Sequence, residues 1–218
     1  ATVCTGINST ALTLSGHTGT IVRWESSTDN FATKANIANT TTTLTATNLT
    51  ATTKYRAVLK SGTCSEVTSS IVTVTIDNEP PTFTAPGPLT IKKLGSCAYD
   101  ASVDITGDVT NEADNYSTGL QATFADVITW PDPDNINIPE APFIITRTWS
   151  LVDNCDNAAT DQVQIITVLD ETLPVAICRD ITVDVDQEFT SAMIDNGSSD
   201  NCQISYYELS QDSFDCTC

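Results

Sequence analysis

The chain is short of the residues on which most catalytic sites depend. Its 218 residues include one histidine and one methionine, and no two cysteines have the Cys-x-x-Cys spacing of redox motifs and zinc knuckles. The histidine, His17, lies in the turn sequence Ser15-Gly16-His17-Thr18-Gly19, with no marked serine or cysteine partner. Acidic residues are plentiful, but they lie in turns and linkers. We therefore expect a protein that is not an enzyme.

Long apolar runs and helical periodicity are also missing. No apolar stretch approaches the roughly 18 residues that span a bilayer, so the chain is not expected to be membrane-spanning. No window repeats apolar residues at helical spacing over three turns, whereas the strand formers Thr, Val and Ile are abundant. The sequence predicts an all-β protein with no helix longer than two turns.

Basic side chains are scarce, and the negative charge is unevenly distributed. The chain has 9 Lys and Arg against 28 Asp and Glu, a formal charge of −19. Residues 1–77 hold five basic and four acidic side chains, so the remainder carries −20 of that total. Such a surface repels phosphate backbones and anionic lipid, which excludes nucleic acid as an expected partner. Divalent cations are the expected counterions.

One pattern occurs twice, at a spacing of 93 residues. The segments are Val74-Thr75-Ile76-Asp77-Asn78-Glu79-Pro80-Pro81 and Thr167-Val168-Leu169-Asp170-Glu171-Thr172-Leu173-Pro174. In each, a strand-like run stops at acidic residues before a proline, which cannot continue a ladder. Repetition at this spacing predicts strand-rich modules at 1–77 and 78–170, with 171–218 the incomplete start of a third.

The first module has the signals of a β-sandwich. Leu49 lies six residues before Tyr55, which opens an alternating strand and resembles the tyrosine corner of immunoglobulin-like and fibronectin-type domains. We expect Trp24 to be its core tryptophan. Eight cysteines in such a chain indicate disulfides and an oxidising compartment. Cys4 in the incoming strand is predicted to bond to Cys64 in the last hairpin, contributing about 4 kcal/mol through the unfolded chain. The fold prediction is therefore tandem immunoglobulin-like β-sandwich modules in an extended array.

The second module ends in a hairpin, and its cysteines are harder to pair. The alternation of 144–151, the turn at 153–157 and the run 163–169 predict this hairpin, whereas Trp130–Pro142 is too rich in proline for a central strand and predicts a long exposed loop. Cys97 and Cys155 are expected at opposite poles, too far apart to bond. The last four cysteines leave three pairings open; they are Cys178, Cys202, Cys216 and Cys218.

Two segments carry a resemblance to a known family: Ile144-Ile145-Thr146-Arg147-Thr148-Trp149-Ser150-Leu151-Val152-Asp153-Asn154-Cys155-Asp156-Asn157 and Pro174-Val175-Ala176-Ile177-Cys178-Arg179-Asp180-Ile181-Thr182-Val183. The first resembles the closing hairpin of hyalin-repeat (HYR-like) modules, and the second resembles the opening of the next module. Residues 1–77 are similar to the bacterial Ig-like modules found beside them. Together these resemblances cover the chain and imply the repetitive cell-surface adhesins of Bacteroidota, such as the gliding-motility adhesins of flavobacteria. They imply an exported, extracellular protein secreted by the type IX route. The family often has cysteine where this chain has Tyr116, which would remove the partner of Cys155.

Calcium is the one cofactor that the residues favour. Carboxylates cluster at the strand ends, and calcium takes six to eight such oxygen ligands. The candidate ligands are Asp77, Glu79, Asp153, Asp156, Asp170 and Glu171, and Asn78 and the Asp200 turn supply further oxygens. The alternative is that these residues only form turns that face water. No twelve-residue EF-hand loop is present.

Two function classes fit these features. The first is a stalk or adhesive filament, part of a much longer chain, that contacts a surface polysaccharide or another cell-surface protein. The second is a carbohydrate-binding accessory module of a secreted enzyme, for which Trp130 is a candidate stacking platform, although a tryptophan that packs on its own loop is the commoner case. Repetition favours the stalk, because a stalk needs copies whereas a lectin needs one good site.

Overall fold

The computed structural model describes residues 1–130, 141–184 and 187–213. The chain forms two compact units, each assembled from three segments. The first unit consists of Ala1–Phe83, Asn111–Ala122 and Ser150–Thr160, and the second of Thr84–Thr110, Thr123–Trp149 and Asp161–Cys218. The first unit therefore holds the predicted first module together with two short segments from the predicted second one. Independent folding of modules bounded near residues 77 and 170 stays a prediction.

The first unit is built around eight short strands. They are β1 Thr2–Cys4, β2 Ser9–Thr13, β3 Thr20–Ser27, β4 Ala35–Ile37, β5 Thr43–Thr47, β6 Thr53–Lys60, β7 Val67–Thr68 and β8 Val72–Asp77. One sheet has the order β1-β8-β6-β3-β4, with β7 also paired to β6, and β2 pairs with β5 in a second sheet. The first strand, β1, runs parallel to the last, β8, so that Cys4 lies opposite Asp77. Two sheets facing each other form the β-sandwich that the sequence predicts.

The core of this sandwich comes from the alternation along its strands. Leu12 of β2 and Leu44 of β5 lie opposite each other and point inward, where they pack with Trp24 of β3. Trp24 is buried and donates its indole N–H to the carbonyl of Thr41 at 3.1 Å, which confirms it as the core tryptophan. Tyr55 is buried in the same core and Leu49 packs against it, as the predicted tyrosine corner requires. The hydroxyl bond of that corner stays a prediction.

A buried carboxylate holds together the outer face of this sheet. The Glu25 side chain is fully buried and contacts three cationic groups, Arg23 at 3.0 Å, Lys34 at 2.6 Å and Arg56 at 2.8 Å. Burial disfavours the charged carboxylate, but the hydrogen bonds from the three cations outweigh it and lower the pKa of Glu25 to about 2. The guanidinium of Arg56 also lies 4.0 Å from the centre of the Phe31 ring. Glu25 thus connects β3, β4 and β6.

We expect Glu25→Gln to lower the free energy of unfolding by about 2 kcal/mol, because it removes a charged acceptor of several hydrogen bonds. The contribution of Glu25 is present above its ordinary pKa of 4.5 and is lost as the pH falls towards about 2. Urea unfolding over this pH range measures both effects. Glu66→Gln is the control, since Glu66 is exposed and binds only Arg23, and it should cost a few tenths of a kcal/mol. Equal losses of unfolding free energy in Glu25→Gln and Glu66→Gln would contradict the stabilising role assigned to Glu25.

The remaining strands are β9 Thr82–Thr84, β10 Leu89–Lys92, β11 Thr110–Ala113, β12 Thr123–Thr129, β13 Phe143–Ser150 and β14 Gln162–Leu169. Of these, β13 and most of β14 alternate between buried and less buried residues, whereas β11 and β12 are exposed along their whole length. The order of the larger sheet is β10-β14-β13-β12, and β9 pairs with β11. The two described helices, α1 Val103–Thr106 and α2 Ser191–Ile194, have four residues each, as expected. No helix in the described ranges is long and apolar enough to cross a membrane.

The predicted closing hairpin is present as β13 and β14. Its strands pair antiparallel from Phe143 opposite Val168 to Trp149 opposite Gln162. Phe143, Ile145, Arg147 and Trp149 are buried, whereas the residues that alternate with them on β13 are only partly covered. The alternation predicted for this hairpin is therefore confirmed.

Arg147 is a buried cation in the second unit and is only 1% exposed. Its guanidinium donates to both carboxylate oxygens of Asp126 at 2.8 Å, to the Thr106 hydroxyl at 2.7 Å and to the Ala101 carbonyl at 2.6 Å. It also lies 3.9 Å from the centre of the Phe124 ring. The charge is thus paired and its donors are used, which is the condition under which a buried arginine is tolerated.

The disulfides differ from those predicted. Cys4 bonds to Cys155 in the first unit, with a Cα–Cα distance of 4.9 Å, and Cys64 is exposed and unpaired among the described residues. The predicted Cys4–Cys64 bond is therefore wrong. The pairing of Cys155, which the sequence leaves open because Tyr116 replaces the cysteine of the family, is with Cys4.

The place where β1 pairs along β8 explains this error. Cys4 lies at the end of β1 beside Asp77, where β8 ends next to the start of β6. Cys64 follows the far end of β6, in a turn closed by its N–H and the Ser61 carbonyl. A strand of eight residues rises about 25 Å, so the two sulfurs lie at opposite poles of the sheet.

In the second unit, Cys97 bonds to Cys202, with a Cα–Cα distance of 4.5 Å. None of the three pairings left open by the sequence includes this bond, so Cys202 was assigned to the wrong set. No bond joins Cys97 to Cys155, as expected. Cys178 is exposed and unpaired in the described part of the chain. Cys216, Cys218 and residues 131–140 of the predicted loop Trp130–Pro142 lie outside the described residues.

Candidate metal centre

Three carboxylates meet in the first unit. Asp77 is the last residue of β8, Asp114 directly follows β11, and Asp153 lies at the start of the turn after β13. One carboxylate oxygen from each lies within 4.8 Å of the others. Calcium–oxygen bonds are about 2.3–2.6 Å long, so oxygens at this separation can bind the same ion from opposite sides. The group is called the Asp77 cluster below.

Asp77 is the most enclosed member of the cluster. Its residue is 3% exposed, its Oδ1 accepts the Glu79 N–H at 3.4 Å, and its Oδ2 is buried with no hydrogen-bond partner in the described structure. Burial raises the pKa of Asp77, and the nearby charges of Asp114, Asp153 and Glu79 raise it further. A buried carboxylate oxygen without a donor is costly, and a bound cation would remove that cost.

Asp114 presents its oxygens in a similar way. Its Oδ2 accepts the N–H groups of Ser117 and Tyr116, both at 2.7 Å, and these bonds lower the pKa of Asp114. Its Oδ1 is buried and has no hydrogen-bond partner in the described structure. Asp114 is thus held in its charged form, with a second oxygen free to bind an ion.

Asp153 is fixed by its own turn and is 6% exposed. Its Oδ1 accepts the N–H groups of Cys155 at 2.7 Å and Asn157 at 2.8 Å, and its Oδ2 accepts the Asn157 side-chain amide at 2.8 Å. The bonds orient the carboxylate before any ion arrives. They leave room for an ion because a carboxylate oxygen has two lone pairs.

A shared local geometry sets all three side chains. Each aspartate accepts the backbone N–H of the second residue after it, which is the turn that Asp forms with its own backbone. The donors are Glu79, Tyr116 and Cys155. Asp77 and Asp114 each keep one oxygen without a hydrogen-bond partner in the described structure, whereas Asp153 uses both oxygens in its turn and keeps a lone pair on Oδ2. The donor set is all oxygen, which suits calcium, magnesium or manganese rather than a soft metal.

Residues 1–78 match a family described as a domain of unknown function, DUF8696. No curated protein matches the chain. Among solved structures, the fibronectin(III)-like modules of Clostridium thermocellum CbhA are 13% identical, with a TM-score of 0.28 over 78% of this chain and 89% of that one. The FN1–FN3 domains of chicken CNTN1 are 10% identical, with a TM-score of 0.22 over 98% of this chain and 86% of that one. The similarity to both is low, so the β-sandwich assignment depends on the chain's own sheets.

The cluster includes only some of the predicted calcium ligands. Asp77 and Asp153 belong to it, whereas the carboxylate of Glu79 accepts the Asn115 amide at 2.7 Å and Asp156 is exposed. Neither Glu79 nor Asp156 is in the cluster, because each turn directs one aspartate inward and leaves its neighbour facing water. Calcium binding by these side chains therefore has no support in the geometry.

The second predicted group, at Asp170 and Glu171, is arranged differently. Asp170 lies near Asp200 and Cys202 in the second unit, but the Cys202 sulfur is used in its disulfide and offers no thiolate. Glu171 pairs with Lys92 at 2.5 Å. Two carboxylates without a third make a weaker cation site than the Asp77 cluster, and calcium at Asp170 stays a prediction.

Asp114 was missed from the sequence, although one signal pointed to it. All three members of the cluster are followed by asparagine, at Asn78, Asn115 and Asn154. The same doublet also occurs outside the cluster, at Asp156-Asn157 for example, so it marks turns rather than ligands. Trp130, the candidate sugar platform, packs its ring 4.9 Å from the Phe143 ring against the core of the second unit. Its ring is engaged with its own unit, which fits the commoner alternative.

Proposed function

We propose that the chain is a non-catalytic segment of a large, exported, repetitive cell-surface adhesin, and that it acts as an extracellular stalk or adhesive filament. Two β-sheet units, each with a disulfide, and a strongly acidic composition support this proposal. The resemblance of the sequence to Ig-like and HYR-like adhesin modules supports it as well. The partner at the far end of the stalk would be a surface polysaccharide or another cell-surface protein.

We further propose that the Asp77 cluster binds calcium and holds three separate segments together. The observation that carries the proposal is the buried carboxylate of Asp77, which lies close to two other carboxylates and whose Oδ2 has no hydrogen-bond partner in the described structure. Asp77 belongs to the strand-rich part of the first unit, whereas Asp114 and Asp153 belong to its two later segments. Without a cation, the three carboxylates repel one another and push these segments apart. With calcium bound, the same charges hold them together.

Calcium is expected to stabilise the first unit against heat and urea. A ligand that binds only the folded state at 100 times its dissociation constant adds about 2.7 kcal/mol to the free energy of unfolding. Extracellular calcium modules have dissociation constants of about 0.1–1 mM, so calcium at up to tens of millimolar is compared with chelator. Asp77→Asn should lack this stabilisation. Asp156→Asn is its matched control, because it makes the same change of charge in the turn that holds Asp153 but outside the cluster. A melting temperature that calcium leaves unchanged would overturn the calcium proposal.

The stalk proposal is tested by mechanical unfolding of single chains. A stalk stiffened by calcium should show a higher unfolding force for the first unit in calcium than in chelator. The second unit is the internal reference, because the Asp77 cluster lies wholly in the first. Antibodies against the chain should also label intact cells of its source. If labelling required permeabilised cells, the extracellular assignment would be wrong.

A further inference from the structure

The Cys4–Cys155 disulfide joins residues that lie next to two of the three carboxylates of the Asp77 cluster. Cys4 is the ladder partner of Asp77 in the parallel pairing of β1 and β8. Cys155 follows Asp153 by two residues and donates its backbone N–H to Asp153 Oδ1 at 2.7 Å. The bond thus covalently joins the strand beside Asp77 to the turn that holds Asp153, two positions that are far apart in the sequence.

We propose that this disulfide controls the affinity of the cluster for calcium, so that reduction of Cys4–Cys155 weakens the site. The inference rests on the proposed calcium site. With the bond intact, the Asp153 turn stays close to Asp77 even when no ion offsets the repulsion among the carboxylates. With the bond reduced, binding must first draw the turn back against that repulsion, which reduces the affinity. Cys4 and Cys155 act as positioning residues, since neither sulfur is a ligand while the bond is intact.

The chemistry needs a dithiol reductant such as dithiothreitol. One thiolate attacks a sulfur of the bond, forming a mixed disulfide and releasing the other cysteine as a thiolate. The second thiol of the reductant then displaces the remaining cysteine. Two electrons and two protons pass to the protein, which gains two thiols, and the reductant becomes a cyclic disulfide. Both cysteines are partly exposed, so a small reductant can reach the bond.

Linkage makes the effect reciprocal. If the disulfide raises calcium affinity by some factor, calcium must favour the disulfide over the dithiol by the same factor at equilibrium. Groups that orient metal ligands typically change affinity 10- to 100-fold when they are removed. We expect a factor of about this size, because one turn carries both Cys155 and Asp153.

The first experiment compares calcium dissociation constants by isothermal titration calorimetry. The oxidised chain is compared with the Cys4→Ser/Cys155→Ser variant, and Cys97→Ser/Cys202→Ser is the control that removes the disulfide of the second unit. We expect an affinity 10- to 100-fold weaker for the first variant and no change for the control. Equal affinity in all three chains would overturn the coupling and leave the calcium site standing. Absence of calcium binding in the oxidised chain would overturn both proposals.

The second experiment needs no cysteine substitution, so it still tests the coupling if the Cys4→Ser/Cys155→Ser variant does not fold. The full chain is equilibrated at a series of ratios of reduced to oxidised dithiothreitol, with calcium or chelator, and the reduced fraction of each bond is measured by alkylation and mass spectrometry. Calcium should raise the ratio needed to reduce Cys4–Cys155 by about 10- to 100-fold. Asp77→Asn should remove this shift. The effect of calcium on the ratio needed to reduce Cys97–Cys202 should be the same in the wild type and in Asp77→Asn. If the ratio is the same with and without calcium, the coupling is refuted.

Discussion

Replacement of Asp77 by asparagine is expected to have opposite effects with and without calcium. In chelator, the substitution removes a buried negative charge that faces two others, and the free energy of unfolding should rise by about 1 kcal/mol. Asparagine keeps an oxygen that can accept the Glu79 N–H, so the local turn is preserved. With calcium at 100 times the dissociation constant, the variant should lack the stabilisation of about 2.7 kcal/mol.

The pH dependence of the same variant adds a second test. Burial, with the nearby carboxylates, raises the pKa of Asp77 above its ordinary value of 3.8. A raised carboxyl pKa gives stability that is fully present below the ordinary value and is lost as the pH rises through the folded-state value. In chelator, the free energy of unfolding of the wild type should therefore fall relative to that of Asp77→Asn as the pH rises through this window. Calcium should reverse the trend, since it binds the ionised group.

Urea unfolding of both chains in chelator and in calcium measures these effects. The difference in the free energy of unfolding between the two chains removes the contribution of carboxyls that titrate alike in both. Asp156→Asn again serves as the matched control and should leave the calcium response intact. A different result would count against the cluster: if Asp77→Asn destabilises the chain equally in both conditions, Asp77 is a structural turn residue and binds no ion.

Removal of the Arg147 side chain is expected to cause the largest loss of stability. Arg147→Ala should lower the free energy of unfolding by about 3 kcal/mol, because it removes a buried side chain, leaves the buried Thr106 hydroxyl without its donor and leaves the partly exposed Asp126 without its cation. It also removes the packing of the guanidinium on the Phe124 ring. Urea unfolding followed by tryptophan fluorescence reports this loss, since Trp149 is buried in the same sheet.

Arg179→Ala is the control for this change. Arg179 also belongs to the second unit, but it is exposed and its side chain donates to the Met193 carbonyl. Its removal should cost less than about 0.5 kcal/mol, as for most exposed substitutions. Arg147→Lys separates charge from geometry, because lysine keeps the charge but cannot form the paired bonds to Asp126. A loss below about 1 kcal/mol for Arg147→Ala would mean that the network is solvated.

The sequence alone determined the features that depend on neighbouring residues. Alternation along a strand has a period of two, so the burial of Ile145 and Trp149 and the hairpin that contains them were readable without a structure. The absence of helical periodicity likewise predicted an all-β chain. Carboxylates at strand ends were visible too, and two of the three cluster members, Asp77 and Asp153, were predicted as ligands.

Only the tertiary structure decided which distant residues meet. Asp77, Asp114 and Asp156 all have the local sequence of a turn, and nothing within a few residues distinguishes the one that faces solvent from those that face each other. The partner of Cys4 depended on where β1 pairs along β8, because this register places Cys4 beside Asp77 and a full strand length from Cys64. Strand register and the approach of distant segments arise from the packing of the whole sheet. Local sequence sets the shape of each turn, and the sheet sets what that turn faces.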